Sequence, residues 1–367
     1  VVRASSLHDL YCRQDACTPQ WVVTRELNQY FLPGRQFNEN RQNRTVDRFS
    51  KRNREKRMSN PSPRLQRLFN QPREIVESRL VCTEEVHCIL CSRFSPSPSL
   101  KKRIFGIDYQ GFELAECCQC GLRFLSKRPS RENLFNAIYA SYWNDDRNPQ
   151  KAIQRNREIE NQIARIESFL QPTTSSLQVL DVGCGDGLFL QHSLQHGWQA
   201  KGTEIIPETC DRLQRELSIE MYQGFLPEIS FGSQTFDVIR LNQVLEHTID
   251  PWVELYTCQG LLKNDGILFI SVPNAGSFQY FLKDIQSRWH LKKNPYKHYA
   301  ALHHLWFFSR KTLTHLCQGC EFEPFSWSSR VPKRPTQTTA ISNIYSRFLE
   351  TLGYASIQDI YCRKKGK

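Results

Sequence analysis

The stretch Val179-Leu-Asp-Val-Gly-Cys-Gly-Asp-Gly187 carries the densest chemical signal in the chain. An apolar run enters closely spaced glycines and a helical pattern follows. That order puts a ligand at the carboxyl edge of the first strand of an α/β sheet. Gly183 and Gly185 permit a tight turn and a close backbone approach. Glu204 ends the next strand-like run, where a carboxylate can accept hydrogen bonds from both ribose hydroxyls. A second signal comes from two cysteine pairs, Cys88-Ile-Leu-Cys91 and Cys117-Cys118-Gln-Cys120. Each short turn presents two sulfurs, so Cys88, Cys91, Cys117 and Cys120 can close a tetrahedron around zinc. Four protein ligands leave no open position, so such a zinc staples the fold and does not catalyse. Cys117 keeps the two-residue spacing, which makes Cys118 the spare, and Gly121 suits the knuckle turn. Free thiols are the alternative.

The glycine core is shared with the dinucleotide fingerprint. Two details separate them. The third glycine stands at 187, where the fingerprint expects 188. Asp181 and Asp186 flank the loop, and carboxylates repel a diphosphate but attract a sulfonium that also carries an ammonium group. The loop suits S-adenosylmethionine, which has no phosphate and a positive methionine end. Cys184 is present as a small residue, not as a nucleophile.

A scaffold to hold these residues is legible downstream of 177. Strands are predicted over 178–182, 199–204, 219–222, 236–241 and 267–272, with helices over 188–196 and 207–217 between them. Ser309 can cap a helix that stops at Gly319, and 322–329 and 357–363 supply two late strands. Such alternation demands a mostly parallel sheet with helices on both faces, an α/β fold. Upstream, 129–172 reads as a helical connector in which Ile159, Ile163, Ile166 and Leu170 share one face. Tyr139, Tyr142 and Trp143, upstream of that face, read as core, with a cover over a ligand as the alternative. Residues 81–128 form the cysteine module, with a strand-like stretch over 103–117.

Composition bounds the class. Of 367 residues, 39% are apolar and 23% charged, which describes a soluble fold. No apolar run approaches the roughly 20 residues of a membrane span, and the beginning lacks a secretory apolar region. Fourteen cysteines are too sparse for a disulfide scaffold. A cytoplasmic setting is expected. The net charge of +12 sits mostly in residues 1–80, which hold 16 Lys+Arg against 8 Asp+Glu. This basic leader, densest over 41–57, reads as a disordered arm that can touch phosphates. The first methionine is Met58, so no function is placed on the leader.

The chain resembles the class I S-adenosylmethionine-dependent methyltransferases, and within them the small-molecule group that includes the ubiquinone-biosynthesis O-methyltransferases. The resemblance covers 151–367. It rests on Leu180-Asp-Val-Gly-Cys-Gly-Asp-Gly187, Gly202-Thr-Glu204, Phe236-Asp-Val238, Asn242-Gln-Val-Leu-Glu-His247, Val272-Pro-Asn274 and His304-Leu-Trp-Phe-Phe-Ser309, which occur in family order. Many members carry a Cys-x-x-Cys ribbon upstream, which is similar to 88–120. The resemblance implies a Rossmann-like seven-stranded sheet over 173–367. It also implies that Asp181 and the Gly183–Cys184–Gly185 backbone hold the methionine amino end and that Glu204 binds the ribose. Ile205 would pack on adenine, Gly224 and Phe225 would border its edge, and Asn242 would line the pocket. Relatives often carry an acid at the Gly224-Phe225 position.

Methyl transfer is an in-line displacement, and a hydroxyl acceptor calls for a base. His247 and His304 are the candidates, with a structural role as the alternative for each. The segment 275–308 is long for a connection and is expected to form a lid over the acceptor. Its Lys283, Arg288, Lys292, Lys293 and Lys297 suggest an anionic ring or sugar acceptor, against a solvated basic loop over an aromatic mini-core. Cys317-Gln-Gly-Cys320 reads as buried thiols. A small-molecule O-methyltransferase is therefore expected. The alternatives are a nucleic-acid methyltransferase using the leader and ribbon, and a non-catalytic zinc-ribbon interaction protein. The first is disfavoured because Asn242-Gln-Val-Leu replaces the Asp/Asn-Pro-Pro-aromatic pattern of amino-methylating enzymes.

Overall fold

The computed structural model describes residues 82–92, 102–104, 113–131, 149–171, 176–292, 296–299, 304–332 and 340–366. The basic leader, Tyr139, Tyr142, Trp143 and Lys293 lie outside them.

The cysteine module is built from short antiparallel strands, β1 (Cys82–Glu85), β2 (Lys102–Ile104), β3 (Glu113–Cys117) and β4 (Arg123–Pro129), ordered β1-β4-β3-β2. The strand-like stretch expected over 103–117 supplies β2 and β3. Leu114, Ala115, Phe124 and Leu125 bury its apolar side.

The larger sheet uses β5 (Gln178–Val182), β6 (Gln199–Glu204), β7 (Met221–Gln223), β8 (Phe236–Asn242) and β9 (Leu262–Pro273), followed by β11 (Phe322–Arg330) and β12 (Ile357–Lys364). Its order is β11-β12-β9-β8-β5-β6-β7, the seven strands expected. β5 lies parallel to β6 and β8, whereas β12 runs antiparallel between β9 and β11. The central strands β5, β8 and β9 carry buried apolar residues on both sides, as a doubly covered sheet requires.

Alternate side chains separate the two faces. Val179, Val238, Ile267 and Phe269 pack with Ile159, Ile163 and Ile166 of helix α1 (Pro149–Glu167) and Phe189 of α2 (Leu188–Gln195). Leu180, Ile239, Leu268 and Ile270 point the other way, into a core with Trp252 and Leu255 of α4 (Pro251–Leu261). That core also takes in Leu313, Leu316 and Cys317 of α6 (Arg310–Gly319). Between these, α3 (Pro207–Leu217) starts on a proline at its first turn and packs beside β6 and β7. Ser309 caps α6 in a reciprocal box with Thr312, and Cys317 and Cys320 are buried thiols, as read from the sequence.

The same core contains Cys88, Leu90, Leu114 and Phe124 of the cysteine module. Trp252 donates its indole N–H to the Ile89 carbonyl at 2.9 Å. The segment expected to be a lid supplies a third tie. It holds helix α5 (Phe278–Arg288), and its end forms β10 (Trp306–Phe307), which pairs antiparallel with β4. Arg123 of β4 meets Asp284 of α5 at 2.9 Å and Glu116 at 2.8 Å, and also donates to the Tyr299 hydroxyl. Within this segment Tyr280, Tyr299 and Phe307 pack together, whereas Phe281 and Trp289 are exposed. Finally, α7 (Ala340–Thr351) precedes β12. No helix among the described residues is long and apolar enough to cross a membrane.

Candidate active site

The glycine loop leaves β5 with Gly183, Gly185 and Gly187 at φ of 62°, 59° and 80°. Only glycine takes this region without strain. At Gly183 a Cβ would also stand 2.8 Å from Val244 Cγ2, so the spacing read from sequence answers a steric need. Glu204, nearly fully buried at the end of β6, clamps the loop. Its Oε2 accepts from the Gly185 N–H at 3.0 Å, and its Oε1 accepts from Ile205 and Ile206 N–H at 2.8 and 3.2 Å. Burial raises its pKa while those amides oppose the shift. Each carboxylate oxygen has two lone pairs, so a ribose hydroxyl can still be accepted.

Contrary to the expectation from sequence, Asp181 and Asp186 are both neutralised by arginines. Asp181 is completely buried, and Arg240 Nη1 donates to its Oδ1 at 2.8 Å. Asp186 is ion-paired with Arg155 of α1. Desolvation disfavours an isolated buried charge, and at Asp181 the Arg240 guanidinium offsets that cost. The loop acids therefore do not act as two free negative charges. What remains unspoken is narrower: Asp181 Oδ2 is buried without a hydrogen-bond partner, and so are Asn242 Oδ1 and Gln243 Nε2 at the end of β8.

A cleft runs along this strand edge in two lobes. The first is largely apolar and is lined by Ile205, Gly224, Phe225, Leu226 and Val244, with Glu204 and Glu254. The second is polar, with Gly183, Cys184, Gly185, Asp186, Arg240, Asn242 and His304 in its wall. Gly183, Gln243 and His247 border both lobes and mark their junction. Every residue assigned to cofactor binding from the sequence thus lies at this edge, with Asp181 directly beneath the loop. Burial pushes the Cys184 thiol up, which makes it inert.

His247 and His304 come together, with ring centroids 4.7 Å apart at a tilt of 69°. Ligand atoms of Glu246, His247 and His304 converge within 4.8 Å of one another, a set whose chemistry could also hold a divalent cation. Glu246 is fully buried and its carboxyl is raised to about 8 by desolvation. Of the lid cations described, Lys283, Arg288 and Lys292 line neither lobe; Arg155, Arg240 and Arg330 do.

Sequence reasoning missed Arg240, Gln243 and Glu254. Arg240 had a signal, since a charge inside the apolar run of β8 must find a partner. Gln243 has a φ of 57°, a conformation unusual outside glycine and a common mark of a functional turn. Glu254 had no signal at all before α4 was placed.

At the other site, the four expected sulfurs lie within 4.8 Å of one another. Cys88 and Cys120 are 3.4 Å apart, and Cys91 and Cys117 are 3.8 Å apart. A tetrahedron with Zn–S bonds of about 2.3 Å has edges of about 3.8 Å, so the set fits the metal. Gly121 takes a φ of 79° and donates its N–H to the Cys117 carbonyl, closing the knuckle. Contact with the Cys88 thiol pulls the Cys120 thiol down. Cys118 is exposed and stands apart.

Residues 152–326 match a family described as a methyltransferase domain. The chain is similar to the ubiquinone biosynthesis O-methyltransferase of Haemophilus ducreyi, 30% identical over 141 residues that make up 35% of this chain and 60% of that protein. The chain thus spans less than two thirds of that relative. A protein of the same name from Cereibacter sphaeroides is 25% identical over 220 residues, 54% of this chain and 89% of its own length. Among solved structures, the 1,6-didemethyltoxoflavin-N1-methyltransferase of Burkholderia thailandensis aligns with 72% of this chain and 100% of its own, at 18% identity and a TM-score of 0.45.

Proposed function

We infer that this protein, whose residues 152–326 match a methyltransferase-domain family, is a class I S-adenosylmethionine-dependent methyltransferase that moves a methyl group from S-adenosylmethionine to a hydroxyl of a small-molecule acceptor. The observation that carries the cofactor reading is the pair of orphaned acceptors, Asp181 Oδ2 and Asn242 Oδ1, on the neighbouring strands β5 and β8. Buried acceptors require donors, and an ammonium group brings three. These two atoms and the Gly183–Gly185 backbone would hold the methionine amino end in the polar lobe. Glu204 would accept from the ribose, and Ile205, Gly224 and Phe225 would enclose the base in the apolar lobe.

When bound, the cofactor supplies an electrophilic methyl group. The chain's own work is to align the acceptor, exclude water and move one proton. His247 borders the junction of the lobes, and the adjoining His304 brings the 275–308 segment into the cleft wall. That placement supports the segment as a cover and the histidine pair as the proton acceptor. An anionic group on the acceptor would meet Arg155, Arg240 and Arg330 and not Lys283, Arg288 or Lys292 of the lid. At the second site, zinc held by Cys88, Cys91, Cys117 and Cys120 would join the module's two turns.

Calorimetry should find one S-adenosylhomocysteine site per chain and no NADH site; the opposite pattern ends the cofactor reading. Transfer of radiolabelled methyl from S-adenosylmethionine into small-molecule fractions of cell extract should fall about 10²–10⁴-fold in His247→Gln or His304→Gln. S-adenosylhomocysteine affinity should stay the same in both. Undiminished transfer in both variants would remove the histidines from proton transfer.

A further inference from the structure

Glu254 is the unexplained group of the cleft. It lies in the first turn of α4, lines the apolar lobe and is only 6% exposed. Among the described residues, no hydrogen bond or ion pair reaches its carboxyl. Among the other polar groups of the lobe, Gln243 Nε2 is also unpartnered but is a donor, and three more groups are committed. Thr203 Oγ1 accepts from the Gly183 N–H at 3.1 Å, Thr248 donates to the Leu245 carbonyl at 2.9 Å, and Glu204 accepts from three amides. The charged groups acting on Glu254 are Glu228, Asp250 and Arg131, and Arg131 is itself paired with Glu228.

A heterocyclic base belongs in this lobe, because Ile205, Phe225, Leu226 and Val244 give it apolar walls. Its polar edge then needs a partner, since an unpaired buried donor costs its full desolvation. No acid stands at the Gly224-Phe225 turn after β7 to serve it. We propose that Glu254 recognises the adenine edge, its carboxyl accepting the exocyclic 6-amino N–H. Burial raises this carboxyl to about 8, so near neutral pH it is protonated and can also return an O–H to ring N1. The assignment rests on the cofactor reading above and adds the residue that distinguishes the base.

The test compares S-adenosylhomocysteine with its analogue lacking the 6-amino group, by calorimetry on the full chain. Wild type should prefer the amino form about tenfold, the worth of one such hydrogen bond. Glu254→Gln keeps an acceptor and a donor and should retain the preference. Glu254→Leu should abolish it while S-adenosylhomocysteine still binds. Equal binding of both ligands by wild type overturns the assignment, whatever the variants do. So does an undiminished preference in Glu254→Leu. Those results leave the cofactor reading standing, whereas a wild type that binds neither ligand sinks both.

Discussion

The cysteine module and the glycine loop both offer clustered side chains, yet they use them in opposite ways. In the module the four sulfurs face one another, 3.4 and 3.8 Å apart in two pairs, and their surroundings are apolar. There the side chains themselves would be the ligands. At the loop the acids are tied to arginines brought from β8 and α1, and Glu204 is tied to backbone amides. There the backbone turn and a few leftover lone pairs face the cleft. A thiol cluster therefore declares its chemistry through residue type, whereas the charge of an acidic loop depends on partners far away in sequence.

The contrast can be broken most severely at the thiols. Cys88→Ser with Cys120→Ser should remove close to one equivalent of zinc from purified protein, as read by metal analysis. Structural zinc contributes on the order of 10 kcal/mol in small modules, so a large fall in thermal stability should accompany its loss. Retention of full stability would show that the thiols hold no structural metal. At the loop, Arg240→Met strips the buried Asp181 of its cation. Urea unfolding should show a loss of about 3–5 kcal/mol, partly recovered when Asp181→Asn is added. A loss confined to cofactor binding would mean that the pair is not structural.

A smaller effect should appear in pH dependence. Burial raises Glu254 in the folded chain to about 8, from an ordinary carboxyl value of about 4.3. Stability from its neutral form is fully present below the lower value and is lost as pH rises through the upper one. The Tm of ligand-free protein should therefore decline across that window, and Glu254→Gln should flatten this part of the decline. An unchanged slope would mean that Glu254 ionises normally. Smallest of all, Gln243→Gly should relieve the left-handed backbone, a gain of up to about 1 kcal/mol, while weakening S-adenosylhomocysteine binding through loss of Nε2. Tighter binding would show that this amide does not serve the cofactor.

Much of the scaffold was legible because its signals are local. β5 and β6, α3 from Pro207 to Leu217 and α6 with its Ser309 cap lie where alternation, proline and capping residues put them. In contrast, α4 was hidden: it is apolar on several sides, with Trp252, Leu255 and Cys258 all buried, so no periodic stripe marks it. The pairing of β10 with β4 was equally invisible, since two residues of strand carry no pattern of their own.

By itself, the sequence determined the glycine turn, the thiol spacing and the order of the sheet elements, because steric freedom, metal-ligand chemistry and hydrophobic periodicity act between residues close in the chain. Tertiary structure alone decided that Arg240 neutralises Asp181, that His247 meets His304, and that Glu254 enters the apolar lobe. Those outcomes depend on which distant side chains share one low-dielectric space, and burial there sets both the charge a group keeps and the partners it must find.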